Sequence, residues 1–245
     1  MPNKIIAILL LMSVFLCAQE NRSKGQFQGF GKGYISGAYG LYPSFISEIN
    51  DEVKEFGAGE FDKSVFLYGG EICGNANSAF GIGIQYYTGS DQVQKIVETD
   101  SLKLDRSVSY RMSFFGLTVN YRKSLIGAFE YFGTFSGSYG SIELILSQDY
   151  GDQSFGDMWD SFDPDSYLYD YNRSVNYSSD LFIFGVNNGL RMFLSSRIAV
   201  GITVGYTYGF VSDNGEINFG FESIKNVPDL DFEGMNYGLG IYFGY

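Results

Sequence analysis

Large apolar residues alternate with small or polar residues along most of the chain. The alternation is clearest in the last stretch, 234–245, whose odd-numbered positions are all large and apolar while most even-numbered positions are glycine. A period of two predicts a β-strand with one apolar face and one face of small residues. The stretch 198–211 repeats this pattern with an unbroken apolar face over glycine and threonine. Both stretches therefore predict strands whose two faces meet different surroundings.

Eight strands of this kind are predicted, and the connections between them alternate between long and short. The strands are predicted at 32–41, 64–73, 79–88, 107–121, 125–146, 180–194, 198–211 and 234–245. With the N-terminus in the periplasm, every long connection falls outside the cell and every short turn on the periplasmic side, an asymmetry typical of transmembrane β-barrels. The sequence predicts an all-β fold, an eight-stranded antiparallel transmembrane up-and-down β-barrel.

The first long connection carries a helical period inside this β pattern. Apolar residues recur every three or four positions in 44–56 among acidic ones, and the glycine that follows ends the pattern. These residues are Phe45, Ile49, Val53 and Phe56. A short helix in the first external loop is therefore predicted. Its apolar stripe either packs on neighbouring loop residues as a lid or docks on the membrane interface or a partner.

The end of the chain resembles the closing strand of the bacterial outer-membrane barrel family. That strand carries a polar-x-Gly-x-x-aromatic-x-aromatic signature, which Gly240, Phe243 and Tyr245 fit. The architecture is similar to the small OmpA and OmpX class of barrels. The resemblance implies a monomer in the outer membrane of a Gram-negative envelope. Its partners would be membrane lipid and the barrel-insertion machinery, which would read the terminal signature.

The N-terminal residues 1–18 predict a secretory signal peptide, because a basic start precedes a short apolar run. That run is shorter than the roughly 20 apolar residues of a membrane-spanning helix. A lipoprotein signal at Cys17 is the alternative, although Leu16 stands where a small residue is normally required. Residues 19–245 then form one barrel domain. Without the signal only Cys73 is left, so no internal disulfide is expected.

Charge and composition exclude several classes of function. The formal net charge of -12, without a basic cluster, argues against a nucleic-acid partner. The chain contains no histidine, the commonest general base and metal ligand. Its absence argues against the histidine-dependent mechanisms of outer-membrane deacylases, palmitoyl transferases, phospholipases and omptin proteases. We therefore expect a protein that is not an enzyme and needs no cofactor.

Strand parity places three charged residues toward the lumen: Glu71, Glu130 and Arg191. An eight-stranded barrel is only wide enough inside for side chains, so these charges are predicted to pair in a filled core. A proton or ion path along the carboxylates is the alternative. The predicted function is accordingly a structural or surface-interaction role, in which acidic, tyrosine-rich loops meet an extracellular partner. A narrow pore is the runner-up, and an enzyme acting on envelope lipid comes third.

The third long connection is the candidate metal site. Asp160, Asp163 and Asp165 bring three carboxylates close together, and calcium accepts oxygen ligands in flexible geometry. The spacing is not that of an EF-hand, because the glycine and the closing glutamate are missing. A solvated acidic loop is the alternative, and no bound metal is expected.

Overall fold

The computed structural model describes residues 33–42, 46–62, 64–76, 79–99, 102–150, 173–211, 216–219, 222–224 and 231–244. The strands are β1 (Gly33–Tyr42), β2 (Val65–Asn75), β3 (Phe80–Thr99), β4 (Leu102–Ser124), β5 (Phe129–Tyr150), β6 (Arg173–Phe193), β7 (Ile198–Val211), β8 (Glu216–Phe219), β9 (Glu222–Ile224) and β10 (Asp231–Gly244). One helix, α1 (Ile46–Phe56), lies between β1 and β2. No helix in these ranges is long and apolar enough to cross a membrane.

Eight of these strands close into a ring. Each strand from β1 to β6 pairs antiparallel with the next one along the chain, and β10 pairs with both β7 and β1. The pair β5 and β6 completes the ring through a long ladder. The short strands β8 and β9 form a hairpin attached to the free edge of β6 at Val175–Ser178. The predicted eight-stranded up-and-down barrel is confirmed.

Several strands are longer than predicted at one end of the barrel. β3 and β4 stay paired as far as Thr99 and Leu102, where the sequence predicts a long polar hairpin, with continuation of both strands beyond the membrane as an open alternative. β5 likewise continues to Tyr150, and β6 already begins at Arg173. We call this end the loop end. The opposite end, with the short connections at 76–79, 125–128 and 194–197, is the turn end.

A continuous row of outward aromatic side chains crosses five strands. Neighbours in this aromatic row lie directly opposite each other: Tyr86, Phe115, Tyr139, Phe182 and Phe210. The next outward row toward the loop end is polar and contains Thr88, Ser113, Ser141 and Asp180. Toward the turn end the outward side chains form an apolar belt, in which Leu117 and Leu239 are each 62% exposed. Such an exposed belt with an aromatic boundary is the lipid-facing surface of a transmembrane barrel.

The inward faces of the strands also change polarity at the aromatic row, but in the opposite direction to the outward faces. Within the belt the interior is polar, and one inward row contains Asn120, Thr134, Asn187 and Asn236. Beyond the aromatic row the interior becomes apolar, with buried Val108, Tyr110, Met112 and Ile142. The loop-end section is therefore built like a soluble β-barrel. This apolar interior explains why the strands extend past the membrane, because paired strands can bury it and a polar loop could not.

The change of polarity on β4 predicts two different responses to the same substitution. Val119→Arg places a charge in the middle of the apolar belt on β4 and should destabilise the fold by about 2 to 4 kcal/mol, the cost near the bilayer midplane. Ser109→Arg, on the same outward face beyond the aromatic row, should change the unfolding free energy little, because its side chain meets water. Urea unfolding in lipid bilayers measures both. Equal losses for the two variants would contradict the proposed membrane boundary.

Candidate functional site

The helix α1 lies in the mouth of the barrel at the loop end. Gly57 ends it with φ +86°, and its N–H donates to the carbonyl oxygens of Val53 (3.1 Å) and Lys54 (3.0 Å). Glycine adopts this left-handed conformation without a Cβ penalty. Arg106 of β4 donates from Nη1 to the Phe56 carbonyl (2.7 Å), and its guanidinium carbon lies 5.3 Å from the Phe56 ring centre. The end of the helix is thus fixed to the barrel wall.

The apolar stripe of α1 fills the loop-end interior. Ile49 and Val53 are buried and belong to one cluster with the inward side chains of β4 and β6. Asn50 holds the chain after the helix, donating from Nδ2 to the Phe61 carbonyl (3.0 Å) and accepting from the Phe61 N–H (2.8 Å). Phe61 in turn packs edge-on against Tyr110, with ring centres 5.1 Å apart. We call this cluster, α1 included, the apolar plug.

The apolar plug is one closely packed level of the lumen. A second closely packed level lies toward the turn end, around the fully buried side chain of Arg191. Its guanidinium carbon lies 4.3 Å from the ring centre of Phe132, 4.4 Å from that of Tyr242 and 4.8 Å from that of Tyr34. These three rings form an aromatic cage from three different strands. Arg191 Nε lies 3.3 Å from Oε1 of Glu130, which stands directly opposite it on β5. The cation is therefore stabilised by one carboxylate and by ring quadrupoles instead of water.

Glycines on the inward faces make room for the cage. A Cβ added to Gly201 would lie 3.0 Å from Arg191 Cβ and 3.0 Å from a Tyr242 ring atom. At Gly240 it would come within 3.0 Å of the same ring, and at Gly189 it would lie 2.5 Å from the Phe132 ring. The lean inward face of strands β6, β7 and β10 therefore has a steric purpose. It leaves the width of the lumen to large side chains from the neighbouring strands.

Glu71 lies near the cage but binds other partners. The Tyr34 hydroxyl donates to Glu71 Oε2 (2.8 Å), and the Asn120 Nδ2 donates to Oε1 (2.6 Å), as does the Thr118 hydroxyl. Tyr34 thus connects Glu71 to Arg191, because its ring belongs to the cage while its hydroxyl binds the carboxylate. The structure brings Glu130 and Arg191 into contact and reaches Glu71 through Tyr34.

A small polar chamber lies between the two packed levels. Its volume is about 60 Å³, and its lining includes Glu71, Gln85, Thr134, Asn187 and Asn236. Gln85 Nε2 donates to the Ser138 hydroxyl (2.9 Å) on its wall. A buried water needs about 10 to 15 Å³ and several polar partners, so the chamber has room for a few waters and no larger solute.

Other residues singled out from the sequence occupy less informative places. Gly240 faces inward on β10, and Phe243 faces outward with 47% exposure. Tyr245 lies outside the described residues, as do the metal candidates Asp160, Asp163 and Asp165. The sequence reasoning missed the apolar plug and the aromatic cage. The plug had a signal, because the inward positions of β4 from 104 to 112 are apolar apart from Arg106, by the same parity that located the lumen charges.

Ring closure, apolar exterior and polar interior together decide the architecture. The chain has the fold of the small eight-stranded outer-membrane β-barrels. No protein-family model matches the chain, and no curated protein matches its sequence.

Three solved structures are similar to this barrel. Neisserial surface protein A is 10% identical, with 87% of this chain and 97% of that chain covered and a TM-score of 0.45. CarO2 of Acinetobacter baumannii is 12% identical, with coverages of 87% and 99% and a TM-score of 0.42. Ail of Yersinia pestis, in complex with the heparin analogue sucrose octasulfate, is 12% identical, with coverages of 86% and 98% and a TM-score of 0.37.

The loop-end section of the barrel also carries two neighbouring carboxylates. Asp105 on β4 and Asp149 on β5 lie directly opposite each other on the outward face, and Gln94 Nε2 donates to Asp105 Oδ2 (2.5 Å). Partial burial and the charge of Asp105 raise the pKa of Asp149 above its usual range. Burial, together with the negative charges of Asp91 and Asp62, raises the pKa of Tyr110 far above its ordinary value, so its hydroxyl stays protonated.

The Arg191 cage predicts a non-additive pattern of stability. Arg191→Met leaves the carboxylate of Glu130 buried without its cation and should destabilise the barrel by about 3 to 5 kcal/mol. The double variant Arg191→Met and Glu130→Gln should recover part of that loss, because neither member of the pair then carries a charge. Unfolding in urea with lipid bilayers present gives the free energies, and Glu130→Gln alone completes the cycle. Strictly additive losses would show that the two side chains do not act as a pair.

The carboxylate pair beyond the aromatic row predicts a pH-dependent stability. Because the pKa of Asp149 is higher in the folded than in the unfolded chain, stability should fall as pH rises through that interval. Asp149→Asn should therefore stabilise the barrel at neutral pH by at most about 1 kcal/mol, since solvent and salt screen exposed charges. Below the ordinary aspartate pKa of about 3.9 the gain should vanish.

The thermal unfolding midpoint in detergent, measured at neutral pH and again below the ordinary aspartate pKa, tests this prediction. Ser147→Asn, on the same outward face of β5, adds the same side chain without removing a charge and serves as the control. A gain for Asp149→Asn that is equal at both pH values would contradict charge repulsion as its cause.

Proposed function

We propose that the protein is a closed outer-membrane barrel that acts through its loop-end surface and does not pass solutes through its lumen. The observation that carries this proposal is the presence of two packed levels in one narrow interior. At the loop end, α1 buries Ile49 and Val53 among inward apolar side chains. Toward the turn end, Arg191 is 0% exposed within three rings.

A passing solute would have to disrupt both levels. Displacing α1 would expose the stripe and the apolar interior of the wall to water, which opposes opening. Moving Arg191 would separate a buried ion pair and remove a desolvated cation from its rings. The chamber between the levels would remain a water-sized compartment. A filled interior matches the general width of eight-stranded barrels.

The proposed placement follows from the two ends of the chain. Residues 1–18 would direct export as a signal peptide and be removed, which leaves 19–245 as a monomeric barrel. Gly240, Phe243 and Tyr245 would be read by the insertion machinery. The loop end would then face the outside, because the connections at that end include the long stretches 151–172 and 212–230.

The proposed surface function is interaction with an extracellular partner. The net charge of -12 favours neutral or cationic partners over sulfated or phosphorylated polyanions. An enzymatic role is disfavoured, because the chain has no histidine and the carboxylates Glu71 and Glu130 are engaged inside the lumen. Glu71, Glu130 and Arg191 would serve as a charge network that fills the barrel.

A narrow pore for ions or small solutes is the second candidate. The polar chamber favours it, since its carboxylate and amide groups face the lumen between the two packed levels. On this alternative α1 would be a movable lid. The two candidates differ in one measurable quantity, the conductance of the intact protein.

Single-channel recording of the refolded protein in planar bilayers tests the proposal. The parent should show no steady conductance, because both levels block the lumen. Val53→Asp, which disfavours burial of α1, and Arg191→Ser should each stay closed, and the double variant should conduct. Glu55→Gln, on the exposed face of α1, is the matched control for the helix. Steady conductance of the parent would overturn the closed barrel and establish the narrow pore.

A further inference from the structure

Two adjoining apolar grooves run along one side of the lipid-facing wall. Their volumes are about 700 and 860 Å³, and they share Leu190, Ile202 and Leu239 on β6, β7 and β10. Aromatic residues of nearby strands border them, with the exposed Phe66 and the half-buried Tyr131 at one groove and the exposed Phe129 at the other. The grooves lie within the apolar belt, so the wall offers a concave apolar surface to the membrane.

Small residues line part of both grooves. They include Gly189, Gly201, Gly238 and Gly240 on β6, β7 and β10, whose inward faces also carry the large side chains of Arg191 and Tyr242. On β1 the exposed Gly37 adds no outward side chain to the second groove, while the large rings of Phe66 and Phe129 border the grooves. A concave wall packs more atoms against a guest than a convex one does, and dispersion attraction grows with the number of contacts.

A cationic group stands at the turn end of the second groove. Arg197 is exposed in the turn between β6 and β7, three residues before the groove residue Val200. Within the described part of the chain, no carboxylate forms a salt bridge with it. Apolar residues at the tips of this turn and the neighbouring one are also exposed, with Leu194 at 59% and Ile126 at 90%. Apolar tips beside a cation fit the headgroup level of a bilayer.

We propose that this wall binds one anionic phospholipid from the turn-end leaflet, with its acyl chains in the grooves and its phosphate against Arg197. The inference rests on the transmembrane placement of the barrel but not on a closed lumen. Burial from water gives no preference over bulk lipid, because bulk lipid is equally apolar. Selectivity comes from packing against the concave wall and from the charge-assisted contact of guanidinium with phosphate.

Native mass spectrometry of the purified barrel, released from detergent after incubation with phosphatidylglycerol, tests the proposal. The parent should retain one lipid. Arg197→Gln should weaken retention roughly tenfold, the effect of one lost charge-assisted hydrogen bond. Ile202→Trp, which fills the region shared by both grooves, should weaken it as well. Phosphatidylcholine, whose headgroup carries no net charge, should be retained less than phosphatidylglycerol.

Matched controls separate a site from ordinary lipid contact. Arg111→Gln removes an exposed arginine at the other end of the barrel, and Leu117→Trp enlarges a belt residue on β4, opposite β10. Both should retain lipid like the parent, and heat-dependent migration on gels verifies that every variant is folded. Equal retention by all variants, or equal retention of the two lipids, would overturn the site. Neither result bears on the closed lumen, which conductance tests separately.

Discussion

The closed ladder of backbone hydrogen bonds is the constraint on which the structure depends. Lipid offers no partner to a free N–H or C=O group, so the strands must form a ring without edges. The ring of β1 to β7 and β10 meets this demand and at the same time encloses a narrow interior. Inward polar groups must then find partners among themselves. The hydrogen bonds of Glu71 with Tyr34, Thr118 and Asn120 are the result.

The buried cation shows how such an interior tolerates a charge. Arg191 has a single carboxylate partner, and most of its surroundings are ring faces. The ring faces stabilise the cation electrostatically, and the rings also fill the lumen. Separate hydrogen-bond acceptors for each N–H group of the guanidinium would fill the lumen less completely. Glycines at 189, 201 and 240, on β6, β7 and β10, leave the space that these side chains fill. Charge, rings and glycines therefore form one packing unit.

Sequence periodicity predicted well which face of the barrel each side chain points to. It predicted poorly how neighbouring strands are positioned against each other along the barrel axis. Parity alone placed Glu130 and Arg191 inward, because a period of two fixes which way a side chain points. The position of one strand along its neighbour depends on the register of their hydrogen-bond ladder, and residue parity gives no information about register. The cage was missed for this reason, since Tyr34, Phe132 and Tyr242 come from three strands. The helix α1 was predicted, but its place inside the mouth depends on strand extensions, which the polar sequence of 89–106 predicted only as one alternative.

The short connections that hold α1 have a kinetic consequence. Residues 43–45 join the helix to β1, and 57–64 join it to β2. A helix that left the mouth would stay tethered at both ends, within the reach of these two connections. Its effective concentration there would be in the millimolar range or above. Reclosure would then be a fast intramolecular event, so any opening of the mouth would be brief unless another molecule occupied the vacated surface.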